Sequence, residues 1–285
     1  MWAAASAVIV AVLLAGCTLP PPPGDGTIRY RDQVFSNVNV TRDIVYGNAP
    51  DLEGNPVDLE LDLYQPVGDA VNQRPVVIWV HGGGFTTGDK VSGANQASFF
   101  ARHGYVATSI NYRLLSPTGC GGTPNPTPEC VQAAIGAQHD AQAAVRWFRR
   151  NASTYGIDTS RIAIAGSSAG AVTSLLVNWR SEDPGTSGNP GFSSKVRAAV
   201  SLSGGTPTNE WIDPGDSPAI FFHGNQDRTV PFQWAVSNAA AMYNEGLFTV
   251  LEVFDAGHGL GWTTEIQQQS DYFLYYAMDL AHAAH

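Results

Sequence analysis

Hydrophobic and polar residues follow one pattern before Pro66 and another after it. Between residues 28 and 64 they alternate, most regularly in Val57–Tyr64, where every second residue is apolar. A period of two is typical of strands with one buried and one solvated face, as in antiparallel sheets. The sequence therefore predicts antiparallel strands in this part, over Arg29–Phe35, Val38–Val45 and Val57–Tyr64.

After Pro66, short uninterrupted apolar runs alternate with longer stretches of helical periodicity. Apolar runs without alternation indicate parallel strands that helices cover on both faces. Together the two patterns predict an α/β fold: a doubly wound, mostly parallel sheet with antiparallel N-terminal strands. The predicted strands are 76–80, 105–110, 161–165, 196–202, 219–222 and 249–254, and the predicted helices are Gln96–His103, Val131–Tyr155, Ala169–Trp179, Phe232–Asn244 and Thr263–Ala281.

The first residues differ from the rest of the chain. Ala3–Ala15 is almost entirely small and apolar, too short to span a bilayer comfortably, and fits the apolar region of a signal peptide. The following Leu-Ala-Gly-Cys resembles a bacterial lipobox, which implies cleavage before Cys17, lipidation of Cys17 and an exported protein held at the cell envelope by that lipid. The alternative is a buried N-terminal helix with an incidental cysteine. We expect a signal peptide (1–16), a stiff Pro-rich tether (17–27) and one catalytic domain (28–285).

Composition narrows the possible partners. The chain has 285 residues, 44% hydrophobic and 14% charged, which is typical of a globular domain. Its net charge of −10 argues against nucleic acid, because few cations are available to neutralise phosphates. No metal site and no cofactor are expected, and the oligomeric state is left open.

The polar residues with chemical potential follow the predicted parallel strands. The carboxyl ends of such strands meet at one edge of the sheet, where ligands bind. Gly166-Ser167-Ser168-Ala169-Gly170 stands there between a predicted strand and a predicted helix. This is the context of a nucleophile elbow, a tight turn that exposes its central serine. Ser168 is the candidate nucleophile.

A serine hydroxyl needs a base to take its proton and an acid to orient that base. His258 follows the last predicted strand and is the candidate base, while Asp227 follows the preceding strand and is the candidate acid. The chain order Ser, Asp, His is the one this kind of sheet uses. The alternatives for the acid are Asp255, Asp213 and Asp216. For His223 we expect packing or loop capping, with a role in the site as the less favoured reading.

A glycine-rich segment, His81-Gly82-Gly83-Gly84-Phe85, follows the first predicted parallel strand. Glycines let backbone N–H groups approach a substrate closely and stabilise an oxyanion. The expected donors are the amides of Gly83, Gly84 and Ala169. The alternative, a nucleotide-phosphate loop, lacks both Gly-x-Gly-x-x-Gly and Gly-Lys-Ser/Thr.

These motifs, with Asn111-Tyr112-Arg113-Leu114, resemble the α/β-hydrolase superfamily. Within it, the chain is similar to HGGG-type carboxylesterases and lipases, which include hormone-sensitive-lipase-like and feruloyl/acetyl-xylan esterase-like proteins. The resemblance implies hydrolysis of carboxylic esters through an acyl-enzyme on Ser168, with His258 as base, Asp227 as acid and His81 as a structural residue. Three features depart from the hormone-sensitive-lipase-like pattern: Ser167 replaces Asp or Thr, the acid lies in Gly-Asn-Gln-Asp-Arg-Thr-Val-Pro and not in an Asp-Pro-Leu-type motif, and a long N-terminal cap is missing.

Two loops bear on the substrate. Cys120 and Cys130 flank a Gly/Pro-rich loop, and an exported protein can join them in a disulfide, although two free thiols are the alternative. The segment between Ser203 and Ala219 is too short for a large lid. We expect an open cleft lined by Phe85, Trp211 and Trp262, unless these aromatics belong to the core. An open cleft suits small acyl esters and acylated polysaccharides.

Two other functions are compatible with the motifs. A serine peptidase of the prolyl-oligopeptidase type shares the fold and the three residues, but usually has a further large domain. A non-catalytic binding protein can also use this fold, because fold does not determine function.

Overall fold

One eight-stranded sheet runs through the protein in its computed structural model, which describes residues 19–122 and 125–283. The strands are β1 (Val38–Pro50), β2 (Pro56–Pro66), β3 (Arg74–Val80), β4 (Val106–Ile110), β5 (Ile157–Ser167), β6 (Ala198–Leu202), β7 (Ala219–Gly224) and β8 (Thr249–Phe254). The helices are α1 (Ala94–Arg102), α2 (Pro128–Arg150), α3 (Ala152–Tyr155), α4 (Ala169–Trp179), α5 (Phe232–Asn244) and α6 (Thr264–Ala277).

The strand order is β1-β2-β4-β3-β5-β6-β7-β8. Strands β1 and β2 pair antiparallel, and β2 pairs antiparallel with β4. All further pairs, from β4 through β3 to β8, are parallel. The predicted fold class, a mostly parallel sheet with antiparallel N-terminal strands, is confirmed.

Helices cover both faces of the sheet, which explains the uninterrupted apolar runs. In β3, Val76, Ile78 and Val80 belong to the core shared with α2, α4 and α5. Val77 and Trp79 belong to the opposite core, shared with α1 and α6. Each parallel strand needs apolar side chains on both faces, because each face contacts a helix layer.

The first and last residues of the helices agree with the prediction for some helices and differ for others. Helices α4 and α5 have the predicted bounds. Helix α2 begins three residues earlier than predicted, because the Thr127 hydroxyl accepts a hydrogen bond from the Cys130 amide and Pro128 fits the first turn. The predicted helix to Tyr155 is interrupted at Asn151, after which the short α3 follows.

The predicted strand over Arg29–Phe35 is wrong. The carbonyl of Ile28 accepts hydrogen bonds from the amides of Arg31 and Asp32, which folds this segment into a turn. Its end then packs on α1, where the Arg102 carbonyl accepts from the amides of the next residues, Val34 and Phe35. A local side-chain bond from the Ile28 amide to Asp32 competes with strand pairing here.

The N-terminal segment lies against the domain from Leu19 onward. The Leu19 amide donates to Gln269 Oε1 at 2.7 Å, and Leu19 packs on the core beside α6. The Arg31 guanidinium donates to the carbonyls of Pro22, Gly24 and Gly26. Most of the predicted tether is therefore held on the surface. The predicted signal peptide and Cys17 lie outside the described residues. Among the residues described, no helix combines the length and apolarity that crossing a bilayer needs.

A buried ion pair fixes the loop after β4 to α2. Asp140 is fully buried, and its carboxylate accepts hydrogen bonds from the backbone and guanidinium of Arg113. The Ser187 hydroxyl donates to the same carboxylate at 2.6 Å. Because every bond converges on one buried group, the positions of the three segments depend on each other.

Close backbone contact at the end of β7 gives a stability prediction. A β-carbon on Gly224 would lie 2.3 Å from the carbonyl oxygens of Ala256 and Gly257, whereas one on Gly257 would meet nothing within 4 Å. We expect Gly224→Ala to lower the free energy of unfolding by about 1–3 kcal/mol through overpacking. Gly257→Ala, the matched control, should change it by no more than about 0.5 kcal/mol. Urea unfolding measures both; equal losses would contradict the close contact.

Candidate active site

Ser168 stands at the turn between β5 and α4 in a strained backbone conformation, with φ 53° and ψ −119°. Residues held in such sparsely populated conformations cluster at functional sites. Two glycines make the turn possible. A β-carbon on Gly166 would lie 2.3 Å from the Gly170 carbonyl oxygen, and one on Gly170 would lie 2.1 Å from the Val80 carbonyl oxygen. The turn therefore packs directly on the end of β3 and holds Ser168 at the edge of the sheet.

The structure brings Ser168, His258 and Asp227 together. The Ser168 hydroxyl lies 2.8 Å from His258 Nε2, and His258 Nδ1 lies 2.8 Å from Asp227 Oδ2. A carboxylate only accepts, so Nδ1 carries the proton and Nε2 is free to accept from the serine; this tautomer is assigned from the hydrogen bonds. Asp227 is fully buried, whereas 26% of the His258 side chain is exposed. The imidazole is therefore accessible on one side and fixed on the other.

Backbone amides hold the Asp227 carboxylate on the side away from His258. Oδ1 accepts hydrogen bonds from the amides of Thr229 at 2.9 Å and Val230 at 3.1 Å. The rival acid Asp255 instead accepts from the Gln226 side chain. Asp213 and Asp216 bond to each other through the Asp213 amide. Of the four candidates, Asp227 is the one that contacts the imidazole.

The loop that carries His258 is tied to the end of β6. The Ser203 hydroxyl donates to the His258 carbonyl at 2.8 Å, and Ser203 itself has a positive φ of 55°. Ser203 follows its strand directly, as Ser168 follows β5, so its side chain points across the same sheet edge. This bond fixes the backbone from which the imidazole projects.

The glycine-rich loop after β3 lies beside Ser168. Gly83 and Gly84 both have positive φ, 123° and 62°, which side chains rarely permit. Among residues 19–122 and 125–283, neither the Gly83 nor the Gly84 amide donates a hydrogen bond. The amide of Ala169 is at the first turn of α4, where helix amides have no partner inside the helix. Within the described part of the chain, the predicted oxyanion donors therefore all have a free N–H, and Gly82 brings the loop to the elbow: a β-carbon there would lie 3.2 Å from Ser168 Cβ.

His81 is a structural residue in this arrangement. It is buried, its ring stacks on Tyr112 at 4.4 Å, and its Nδ1 bonds to the Gly82 carbonyl. Burial lowers the pKa of His81, so its imidazole stays neutral. A β-carbon on Gly88 would lie 2.3 Å from its Nδ1. The ring thus fills the inside of the glycine-rich loop.

The Cys120–Cys130 loop connects the two sides of the site. The cysteines are joined in a disulfide, as expected, with their Cα atoms 5.6 Å apart. The Cys120 amide donates to the Gly84 carbonyl at 3.0 Å, and the Gly122 amide donates to the Thr229 carbonyl at 2.8 Å. The disulfide loop therefore bridges the glycine-rich loop and the loop that binds the Asp227 carboxylate.

Ser168 and His258 border a cavity of about 240 Å³. Trp262, Trp79, Gln96 and Leu202 form much of its wall. A second, more polar cleft of about 620 Å³ lies between α1 and α6 and shares Gln96 and Trp262 with the first. Buried polar atoms without a partner, Gln96 Oε1 and Trp262 Nε1, belong to these shared residues. Trp262 therefore separates the nucleophile's cavity from the polar cleft.

The other two predicted lining aromatics lie elsewhere. Phe85 is 5% exposed and packs in the core next to Tyr112, and it borders neither cavity. Trp211 packs beneath the Arg180 guanidinium, 4.8 Å from its ring centroid. Segment 203–218 carries neither a helix nor a strand, so no helical lid covers the site from there. Among the described residues, no group of three or more His, Cys, Asp or Glu could hold a metal ion.

Of two further residues near the acid, the sequence indicates His223 only as a less favoured member of the site and does not indicate Gly224. His223 Nε2 lies 3.1 Å from Asp227 Oδ2, and both side chains are fully buried. Gly224 provides the space in which the His258 loop crosses the end of β7. The signal that could have found both is the His-Gly-Asn-Gln-Asp spacing, which puts an imidazole four residues before the acid.

Known proteins with similar sequences are ester hydrolases and related enzymes. Phenmedipham hydrolase from Pseudarthrobacter oxydans is 36% identical over 40% of this chain and 21% of its own length. The probable carboxylic ester hydrolase LipM of Mycobacterium tuberculosis is 34% identical over 50% of this chain and 31% of its own length. The chain therefore spans only a fifth to a third of the length of these curated relatives.

A solved structure covers more of the chain. Esterase 2 of Thermogutta terrifontis is 25% identical, with a TM-score of 0.63, over 89% of this chain and 95% of its own. The model of the BD-FAE family matches residues 61–207, which contain the glycine-rich loop, the elbow and the end of β6. Since this match covers just over half of the sequence, the protein belongs to the BD-FAE family of α/β-hydrolase esterases.

Proposed function

We propose that this protein is a serine hydrolase that cleaves carboxylic esters through an acyl-enzyme on Ser168. The observation that carries the proposal is the row of hydrogen bonds Ser168–His258–Asp227, with both distances at 2.8 Å. An imidazole oriented by a carboxylate can remove the proton of a serine hydroxyl as the oxygen attacks. The row lies at the sheet edge where the fold places ligands.

In the first half of the reaction, Ser168 Oγ attacks the ester carbonyl carbon while its proton moves to His258 Nε2. The carbonyl oxygen becomes an oxyanion, for which the amides of Gly83, Gly84 and Ala169 are the donors. Preorganised donors of this kind stabilise charge that develops only in the transition state. The intermediate then collapses: the bond to the alcohol oxygen breaks, and the alcohol leaves with the proton from His258.

In the second half, water replaces the alcohol. His258 Nε2 takes a proton from the water as its oxygen attacks the acyl carbon, and the same oxyanion donors are used. Collapse of this intermediate returns the proton to Ser168 Oγ and releases the carboxylic acid. Asp227 keeps the imidazole in the tautomer that accepts at Nε2 and stabilises the imidazolium that forms in each half.

The relatives support an ester rather than an amide as the substrate. The family is one of esterases, LipM is a probable carboxylic ester hydrolase, and the similar solved structure is an esterase. An ester of small acyl groups, or of acyl groups on a polysaccharide, fits an active site without a helical lid. Peptide cleavage uses the same three residues, so an amide substrate assayed beside its ester analogue separates the two activities.

Ser168→Ala gives the direct test of the nucleophile. We expect it to lower kcat for p-nitrophenyl butyrate by at least about 10⁴-fold, because only the oxyanion donors and binding are left to accelerate the reaction. Ser193→Ala, at an exposed position that borders neither cavity, should match the wild-type rate. Initial rates on correctly folded protein measure both.

Two outcomes would contradict this proposal. If Ser168→Ala retained more than a few per cent of the activity, Ser168 would not be the nucleophile. If the wild-type protein hydrolysed neither ester nor amide and did not react with a fluorophosphonate, the fold would serve as a binding protein instead.

We also propose that the protein is exported and attached to the cell envelope through lipid on Cys17. The support is in the sequence: the apolar Ala3–Ala15 and the Leu-Ala-Gly-Cys that follows it. The described chain places Leu19 on the domain surface beside α6, so a lipid at Cys17 would hold the domain close to the membrane.

Mass spectrometry of the N-terminal peptide from protein purified from a bacterial envelope tests the anchor. We expect the mature chain to begin at Cys17 and to carry a mass increase from lipid. A chain that keeps residues 1–16, or an unmodified Cys17, would refute the lipid attachment without affecting the proposed activity.

A further inference from the structure

The carboxylate of Asp227 meets a second imidazole besides that of His258. His223 Nε2 lies 3.1 Å from Asp227 Oδ2, the same oxygen that accepts from His258 at 2.8 Å. Both the His223 and the Asp227 side chains are fully buried. The two amides that bind Asp227 act on the other oxygen, Oδ1. On Oδ2, His223 is thus the neighbour of the reacting imidazole.

The hydrogen bonds assign the proton of His223. Its Nε2 lies 3.0 Å from the Val230 carbonyl oxygen as well as 3.1 Å from Asp227 Oδ2. Both oxygens can only accept, so Nε2 carries a hydrogen, which it donates to Val230 while facing the carboxylate. Val230 in turn donates its amide to Asp227 Oδ1. His223 therefore holds the backbone turn that binds the carboxylate, and its ring faces Oδ2.

His223 acts on Asp227 as a neutral group. Burial lowers the pKa of His223, and the nearby His258 adds to this, while Asp227 opposes it. A cationic His223 would compete with the imidazolium that forms on His258 for the negative charge of Asp227. A neutral N–H dipole fixes the carboxylate and leaves its charge to His258.

The imidazole is poorly suited to a packing role alone. Its second nitrogen, Nδ1, is buried without a hydrogen-bond partner. Leaving a polar atom buried and unpaired is unfavourable, and an aliphatic side chain of similar size would avoid it. The position of the ring is also fixed, because His223 pairs with Val253 of β8 in the sheet. The rigid strand thus places one N–H group against the turn that binds Asp227.

We propose that His223 is a positioning residue of the site: its Nε2–H binds the Val230 carbonyl and so holds the turn whose amides bind Asp227, while its ring faces Oδ2 and limits rotation of the carboxylate. This inference rests on the proposed ester hydrolysis. Without His223, the turn that donates the Val230 amide to Oδ1 loses its bond to β7, and the carboxylate can rotate away from His258. The expected loss is therefore in the chemical steps and not in substrate binding.

The test replaces His223 with two residues whose side-chain amides differ in length. In His223→Gln, the side-chain amide nitrogen can occupy the place of the imidazole Nε2, whereas the shorter asparagine of His223→Asn cannot reach it. For p-nitrophenyl butyrate, we expect His223→Gln to stay within about threefold of the wild-type kcat. His223→Asn and His223→Leu should lower kcat by about 10- to 100-fold, the range for leaving a buried carbonyl without its hydrogen-bond donor, with KM changed less than about twofold. Rates are expressed per active site titrated with a fluorophosphonate.

A double-mutant cycle separates positioning from folding. In an Asp227→Asn background, where the carboxylate is gone, His223→Leu should lower kcat by less than about twofold further. The inference is overturned if His223→Gln and His223→Asn have equal effects, if kcat per titrated site is unchanged in all three variants, or if His223→Leu costs as much without the carboxylate as with it. Wild type and Ser168→Ala in the same series distinguish the two proposals: equal rates there would refute the ester-hydrolase mechanism itself.

Discussion

Backbone segments at the carboxyl edge of the sheet approach each other so closely that some positions have no room for a β-carbon. Gly170 packs on the Val80 carbonyl, Gly166 packs on Gly170, and Gly224 packs on the loop before His258. These contacts join β3, β5, β7 and β8 at their ends. Because the contacts are between backbone atoms, they fix the distance between Ser168 and His258 more firmly than flexible side chains could. The free amides of the glycine-rich loop and the elbow are placed by the same packing.

Buried carboxylates are the second constraint, and they have different partners at different places in the protein. Asp140 is paired with the Arg113 guanidinium and two further donors. Asp271 has one distant imidazole, His103, at 3.5 Å, and burial raises the pKa of Asp271 well above its usual value. Asp227, equally buried, accepts from two backbone amides and from His258, and a second imidazole, that of His223, lies 3.1 Å from Oδ2. Because the backbone amides are neutral donors, the negative charge of Asp227 remains available to His258.

Much of this arrangement could be predicted from the sequence, because it depends on strand order and on the residues at strand ends. The elbow glycines, the order of Ser168, Asp227 and His258, and the bounds of α4 and α5 all follow from local patterns. The segment Arg29–Phe35 was predicted as a strand, but a local bond to Asp32 and contact with α1 decide its conformation. The role of His223 depends on its contact with the Val230 carbonyl, seven residues along the chain. No periodicity of the sequence predicts that contact. Phe85 lies in a loop at the site, and the sequence therefore predicts that it lines the cleft. Its backbone has a positive φ, however, and its side chain is buried in the core.

We propose that Ser168, activated by His258, is the group that attacks the ester. Peptide mapping after reaction with a fluorophosphonate tests it most directly, since the reagent forms a stable bond with an activated serine. Trypsin releases residues 162–180 as one peptide that contains both Ser167 and Ser168, and fragmentation distinguishes the two. We expect one adduct per chain, on Ser168, with loss of ester hydrolysis in proportion and no adduct in a His258→Ala variant on the same time scale. An adduct on Ser167 or on any other residue, or full activity in protein that is fully labelled at Ser168, would contradict it.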